Sequence, residues 1–172
     1  MTTLTEASSR TLRAIDTLAP AFQRQVRGWV TEMINSKIPP LIYCGRRTME
    51  EQAALYKIGR SVKGKIVTNA RPGESYHNYG LAFDWVPLKP APKDPTMLVV
   101  DWGDETAFRL GEHVGGSFQL NGISWESGHL QSSQYASWRD IPRNHVEQVK
   151  VKDIPQKTKA RSLVNSRPWS SR

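Results

Sequence analysis

The amino-acid sequence predicts an α+β domain, with three or four helices around a small, mostly antiparallel sheet. Three observations lead there. Apolar residues early in the chain recur at helical spacing, most clearly Phe22, Val26, Trp29, Val30, Met33 and Ile34. Short apolar runs bounded by turn residues read as strands, as in Leu41-Ile42-Tyr43-Cys44 and in 81–86. The 172 residues, 38% of them hydrophobic, suffice for one domain with a proper core, and they show no internal repeat.

Taken in order, Leu12, Ile15 and Leu18 predict a short helix over 11–18. Pro20, a favoured first-turn residue, opens the second helix, and Pro39-Pro40 stops it. The strand 41–44 follows, then the turn Gly45-Arg46-Arg47. Thr48 and Glu51 form a capping box for a helix through Gln52, Leu55, Tyr56 and Ile58, which Gly59 ends. Residues 60–74 are polar and basic, a loop of the length that often carries function. A strand is expected over 81–86 and an exposed connection over 87–95, where prolines stand at 87, 90, 92 and 95. Met97 to Val100 reads as a strand, 104–113 as a helix broken by Gly115-Gly116, and 122–125 as a short strand. Residues 126–139 read as a polar loop and 145–151 as a last strand. The division expected is a domain over 1–151 and a basic, extended tail over 152–172.

Charge supports that division. The chain carries +8, and 150–172 holds seven Lys or Arg against one Asp, or +6, which leaves +2 for everything before it. No apolar run approaches the ~20 residues of a membrane-spanning helix. The amino terminus lacks a basic stretch followed by an apolar one, so no secretory signal is expected. Cys44 is the single cysteine, which excludes an internal disulfide; its apolar surroundings predict a buried structural thiol. The tail has Trp169 but no aromatic platform, so specific nucleic-acid binding is not expected.

The chemistry-bearing stretch is Ser75-Tyr76-His77-Asn78-Tyr79-Gly80-Leu81-Ala82-Phe83-Asp84. An imidazole and a carboxylate seven residues apart are a pair that zinc takes together, and the small residues between them let backbone pass close under a site. A catalytic zinc needs a third protein ligand and an open position. His113, His129 and His145 are the remaining histidines; His113 reads as a residue flanking a helix end.

The decamer resembles Ser-x-His-x-x-Gly-x-Ala-x-Asp, the signature of the zinc D-alanyl-D-alanine carboxypeptidase and L-alanyl-D-glutamate endopeptidase family, which includes many phage endolysins. Gly45-Arg46-Arg47-Thr48, Glu51-Gln52, Leu55-Tyr56 and Gly64-Lys65-Ile66-Val67-Thr68-Asn69-Ala70 are similar to the family's preceding segment. The resemblance spans about Leu41 to Leu88 and weakens from Met97 to Lys150. It implies the fold of hedgehog and D-Ala-D-Ala peptidase domains, one catalytic zinc ion, and His77 and Asp84 as two of its ligands. The family's third ligand is a histidine on a late strand, three residues after a catalytic Asp or Glu.

Asp140-Ile141-Pro142-Arg143-Asn144-His145-Val146-Glu147 resembles the family's Asp-x-Pro-His-Phe-Glu ending, with two residues inserted. On that reading His145 is the third metal ligand and Asp140 the catalytic acid, if the insertion bulges outward. Glu147 then shares the face of His145. Glu126-Ser127-Gly128-His129 is the alternative, with the right spacing of acid and histidine in surroundings more like the family's Trp-Gly-Gly loop. Arg47 resembles the family arginine that binds the scissile carbonyl or a substrate carboxylate, a role suited to a permanently charged fork. Arg46 is its neighbour and alternative. Ser75 is expected to orient His77 or the substrate.

The function expected is that of a phage-type endolysin hydrolysing the peptidoglycan stem peptide, with the L-Ala-D-Glu bond favoured. A D,D-carboxypeptidase or dipeptidase, or a non-catalytic zinc-binding wall module, are the alternatives. The expected setting is a monomer made in the host cytoplasm and released to the wall through a holin. The basic tail is expected to meet anionic wall or outer-membrane surface.

Overall fold

The computed structural model describes residues 1–142 and His145. The first helix, α1, spans Leu4–Asp16 and starts earlier than its apolar spacing suggests. Thr3 caps it: the Thr3 side chain accepts from the Glu6 amide while Glu6 accepts from the Thr3 amide. This satisfies two donors that a helix start otherwise leaves open. Helix α2, Pro20–Asn35, begins on its proline and buries Phe22, Val26, Trp29 and Met33 along one stripe. Helix α3, Met49–Lys57, carries the Thr48–Glu51 capping box.

Five strands follow the order β1-β2-β5-β4, with β3 joined to β2; every named pairing is antiparallel. They are β1 Pro40–Cys44, β2 Ala82–Ala91, β3 Asp94–Val100, β4 Leu120–Ile123 and β5 Glu126–Ser132. Helix α4, Glu105–Ser117, connects β3 to β4. Helix α1 packs along the β1 edge, where Thr11 Oγ1 accepts from the Ile42 amide at 3.1 Å, and α2 and α4 pack on the sheet. Phe83 and Trp85 of β2 pack on Trp29 of α2, with ring centroids 5.2 and 4.9 Å away, and the Trp29 indole donates to the Gly111 carbonyl of α4 at 2.9 Å. Rings of this size dominate a core, so truncating Trp29 to alanine costs about 3–5 kcal/mol.

Three segments differ from the sequence reading. The proline-rich stretch 87–95 is not a connection: β2 continues to Ala91 and β3 begins at Asp94. β2 changes partner at its proline, pairing with β1 up to Pro87 and with β3 from Leu88. Pro87 serves as an acceptor, its carbonyl taking the Asp101 amide at 2.9 Å, so its missing N–H is not needed there. The stretch read as a polar loop over 126–139 begins with β5. Gly115-Gly116 do not break α4; a side chain at Gly115 would press on Leu120, which explains a small residue there. The strand expected over 145–151 and the tail over 152–172 lie outside the described residues, His145 apart. Among the described residues no helix is long and apolar enough to cross a membrane.

Candidate metal centre

The site is a row across the sheet. Asp84 of β2 is the register partner of Cys44 on β1 and of His129 on β5, so strand pairing alone brings the three side by side. His77 arrives from outside the sheet on a 3₁₀ turn, Tyr76–Tyr79. Ser75 opens that turn, its hydroxyl accepting from the His77 amide at 3.3 Å. Gly80 closes it in the left-handed conformation, φ 66°, with its missing side chain directed at the Ala19 amide. A residue with a Cβ meets both penalties there.

Both ring nitrogens of His77 have partners from outside the turn. Nδ1 lies 2.7 Å from the Gly45 carbonyl oxygen and Nε2 lies 3.2 Å from Asp84 Oδ1. The same Oδ1 lies 3.0 Å from His129 Nδ1, and His129 Nε2 is 3.1 Å from Gln131 Oε1. Arg47 approaches the other carboxylate oxygen, Nη2 to Oδ2 at 3.7 Å. His77, Asp84 and His129 are all buried.

The chemistry of these donors tests whether a metal fits. Gly45 offers only a carbonyl, so His77 Nδ1 must carry a proton. In the neutral ring Nε2 then presents a lone pair to a carboxylate, which is repulsive. The contact is sensible only with a positive charge between the two groups or on the ring. Without an ion, burial works against charge on His77, but the Asp84 carboxylate, aided by Cys44, outweighs it and pushes the imidazole pKa up to about 10. Asp84 is likewise hard to ionise on burial alone, yet the His77 charge and the hydrogen bonds from both histidines hold it well below the usual carboxylate range. A dication in this place does the work of those protons. Two imidazole nitrogens and a carboxylate oxygen are a zinc donor set, and an Nδ1–H on a backbone carbonyl is the usual outer support of a ligating histidine. His77 and Asp84 fit the ion, and the third donor atom clustered with theirs among the described residues is Cys44 Sγ.

Cys44 is half-buried rather than enclosed, and its Sγ belongs to the same cluster: the ligand atoms of Cys44, His77 and Asp84 lie within 4.8 Å of one another. It meets His77 at Nδ1, 3.9 Å away, the nitrogen already turned to Gly45. It therefore supports the ring edge opposite the one that faces Asp84.

Around this centre, Arg47 is fixed at several points. Its amide donates to the His77 carbonyl at 3.0 Å, and Nη1 donates to Gln52 Oε1 at 2.8 Å. Gln52, wholly buried on α3, passes its own amide hydrogen to the Ala70 carbonyl at 2.8 Å. Burial pulls the guanidinium pKa down, but the charges of Cys44, Asp84 and Glu126 overcome this and raise it. The Arg46 amide instead donates to Thr17 Oγ1 at 2.8 Å, and Arg47 is the arginine that reaches Asp84.

The two rival acid–histidine pairs are placed differently. Among the described residues the imidazoles that reach Asp84 are those of His77 and His129. His145 sits edge-on to Tyr135, ring centroids 6.3 Å apart, with Nε2 buried and unpartnered. Asp140 is exposed; its carboxylate accepts from the Ser137 amide at 3.0 Å and caps a short 3₁₀ turn, Trp138–Asp140. So the structure gives Asp140 a capping task at its own 3₁₀ turn, and it pairs His129, the alternative histidine of the sequence reading, with Asp84. Glu126 lies close enough to act on Arg47 electrostatically. Strict strand alternation would turn residues 126 and 129 to opposite faces. Gly128, at φ 82°, breaks the alternation between them, and a Cβ there would strike the Trp85 carbonyl oxygen. Glu147 lies outside the described residues, and His113 is exposed on α4.

A family model described as VanY, D-alanyl-D-alanine carboxypeptidase, matches residues 16–138. The chain belongs to this family. The VanY match takes in all four residues of the Asp84 row and its turn, and it ends before Asp140 and His145. Peptidoglycan L-alanyl-D-glutamate endopeptidase CwlK of Bacillus subtilis (strain 168) is 59% identical over 64 residues, which are 37% of this chain and 36% of that protein. The chain thus matches about a third of that relative's length. Among solved structures, the LD-carboxypeptidase LdcB gives a TM-score of 0.50 at 21% identity, over 67% of this chain and 65% of that one. That likeness shows the α+β fold. The L-Ala D-Glu endopeptidase ChiX of Serratia marcescens gives 0.49 at 18% identity, over 72% and 86%.

Proposed function

We propose that this VanY-family chain is a zinc-dependent peptidase of the peptidoglycan stem peptide that cleaves the L-Ala-D-Glu bond, in the manner of a phage endolysin. The observation that carries the proposal is the buried Asp84 Oδ1 facing both His77 Nε2 and His129 Nδ1. His77, Asp84 and His129 would hold the ion. Zinc bound there supplies a Lewis acid for the scissile carbonyl and makes a water molecule more acidic. The identity to CwlK supports the choice of bond.

The chain's own residues supply the rest. Glu126 takes the proton of the attacking water on its carboxylate. It then passes that proton to the nitrogen of the departing D-Glu residue as the C–N bond breaks, so it ends each cycle ionised. Arg47, already held by Gln52 and by the His77 carbonyl, offers its remaining N–H groups to the carbonyl oxygen as negative charge develops, or to a substrate carboxylate. Holding this fork in advance avoids reorganisation during the reaction.

The test is product analysis on purified peptidoglycan with zinc-loaded protein. A new amino-terminal D-glutamate is expected. Free D-alanine instead would favour the carboxypeptidase reading that the family description carries. Zinc binding with no new amino groups would favour a non-catalytic wall module. Lysis of host cells only on co-expression with a holin would test the endolysin setting.

A further inference from the structure

The β4–β5 hairpin turns through Ser124-Trp125, since Ile123 pairs with Glu126. Two-residue hairpin turns favour Asn, Asp or Gly at positive φ. Neither Ser124 nor Trp125 has positive φ, so nothing in the turn asks for an indole. Trp125 is also 79% exposed, whereas Trp29 and Trp85 are fully buried. Among the described residues it has neither a ring contact nor a hydrogen-bond partner. Its backbone directly precedes Glu126, whose charge acts on Arg47. A large exposed aromatic side chain therefore sits on the residue next to the proposed acid.

We propose that Trp125 is a stacking platform for the sugar that carries the stem peptide, so that the site engages peptide and glycan together. This rests on the proposed L-Ala-D-Glu specificity. In peptidoglycan the L-Ala nitrogen is acylated by the lactyl group of an N-acetylated sugar. The scissile bond lies one residue further on, a span of about 3.5 Å. A peptidase cutting there has a pyranose beside its catalytic acid. In β-linked N-acetylated sugars the bulky groups are equatorial, and each ring face is a set of axial C–H bonds. An indole face complements such a surface through dispersion and weak C–H contacts, while its N–H can still find an acceptor.

The test is binding of glycan stripped of peptide, a GlcNAc-MurNAc tetrasaccharide, followed by NMR through the Trp125 indole N–H. That resonance should move on titration. Trp125→Ala should raise the Kd by about tenfold or more, and Trp125→Tyr, which keeps an aromatic face, should hold it within a few-fold. A wild-type indole that does not move overturns the inference without recourse to any variant. So does an alanine variant that binds glycan as tightly as wild type. Hydrolysis of sugar-free L-Ala-D-Glu peptides scores the activity separately. Cleavage of those peptides with no glycan shift sinks this inference and leaves the activity standing. A Trp125-dependent shift without cleavage supports this inference and sinks the activity.

Discussion

The two sides of Asp84 are built in opposite ways. On the β1 side, polar groups are locked to one another: His77 to the Gly45 carbonyl, Arg47 to Gln52, Gln52 to Ala70, and the Asn78 amide to the Arg47 carbonyl at 3.0 Å. On the β5 side, the strand leaves β2 after His129, swings on Gly128, and ends in an exposed turn with half-buried Glu126 at its edge. One side is a cradle that sets the geometry of the ligands. On the proposed mechanism, the other would bring the acid and meet the substrate. Rigidity and chemistry are thus divided between strands that share one carboxylate.

Removing a ligand from either side should break this comparison most. His77→Ala or His129→Ala should lower zinc affinity by more than the roughly 10–100-fold typical of supporting residues, read by competition with a chromophoric chelator. His145→Ala should keep zinc. Retention of zinc by H129A together with its loss in H145A would reverse the assignment.

Changing the acid alone should separate the two sides. Glu126→Gln should lower kcat by about 10²–10⁴ while zinc content holds, since general acid–base catalysis is worth about that much. Asp140→Asn should leave kcat unchanged, because that carboxylate caps a turn. Gly128→Ala should then show how far the swing of β5 depends on its backbone. A positive φ and a collision with the Trp85 carbonyl should cost about 2–4 kcal/mol in denaturant unfolding.

A further effect is on the pH dependence of stability. In chelated protein His77 titrates at about 10, against about 6.5 when unfolded. A raised pKa means that the folded state keeps a proton the unfolded chain has given up. Its contribution is whole below about pH 6.5 and gone once pH has risen past about 10. The melting temperature of metal-free protein should fall across that window. With zinc the fall should weaken or reverse up to about pH 10, because the ion competes with the proton for His77. Parallel curves with and without zinc would mean that no ion replaces those protons.

The cradle was largely legible in the sequence, because its parts are contiguous. The decamer places a histidine and an aspartate around small residues, and the Thr48–Glu51 cap sets α3 with Gln52 beneath Arg47. The β5 side was not. Its signal is a glycine where the family ending has proline, in a strand of Ser, Gln and His whose polar residues face a site and so imitate a loop. Farther on, Asp140-Ile141-Pro142 copies the family's ending in sequence, while Ser137 and Asp140 spend it on a capping box. Spacing along a chain does not show which histidine meets Asp84; strand register does, and it brings His129 there. Helix α1 began early for a related reason, since Thr3 and Glu6 signal its start by polar chemistry rather than by apolar period.

The corner between α1 and α2 has a consequence of its own. A side chain at Gly45 would collide with Thr17 and the Ala14 carbonyl, and the Ala19 amide donates to the Gly80 carbonyl at 3.0 Å. The corner is therefore wedged against both the carbonyl that orients His77 and the glycine that ends its turn. On the proposed metal reading, seating of this amino-terminal hairpin and occupancy by the ion would be coupled. Tethering the molecule by its front end, or grafting a targeting module there, would then alter the proposed metal affinity as well.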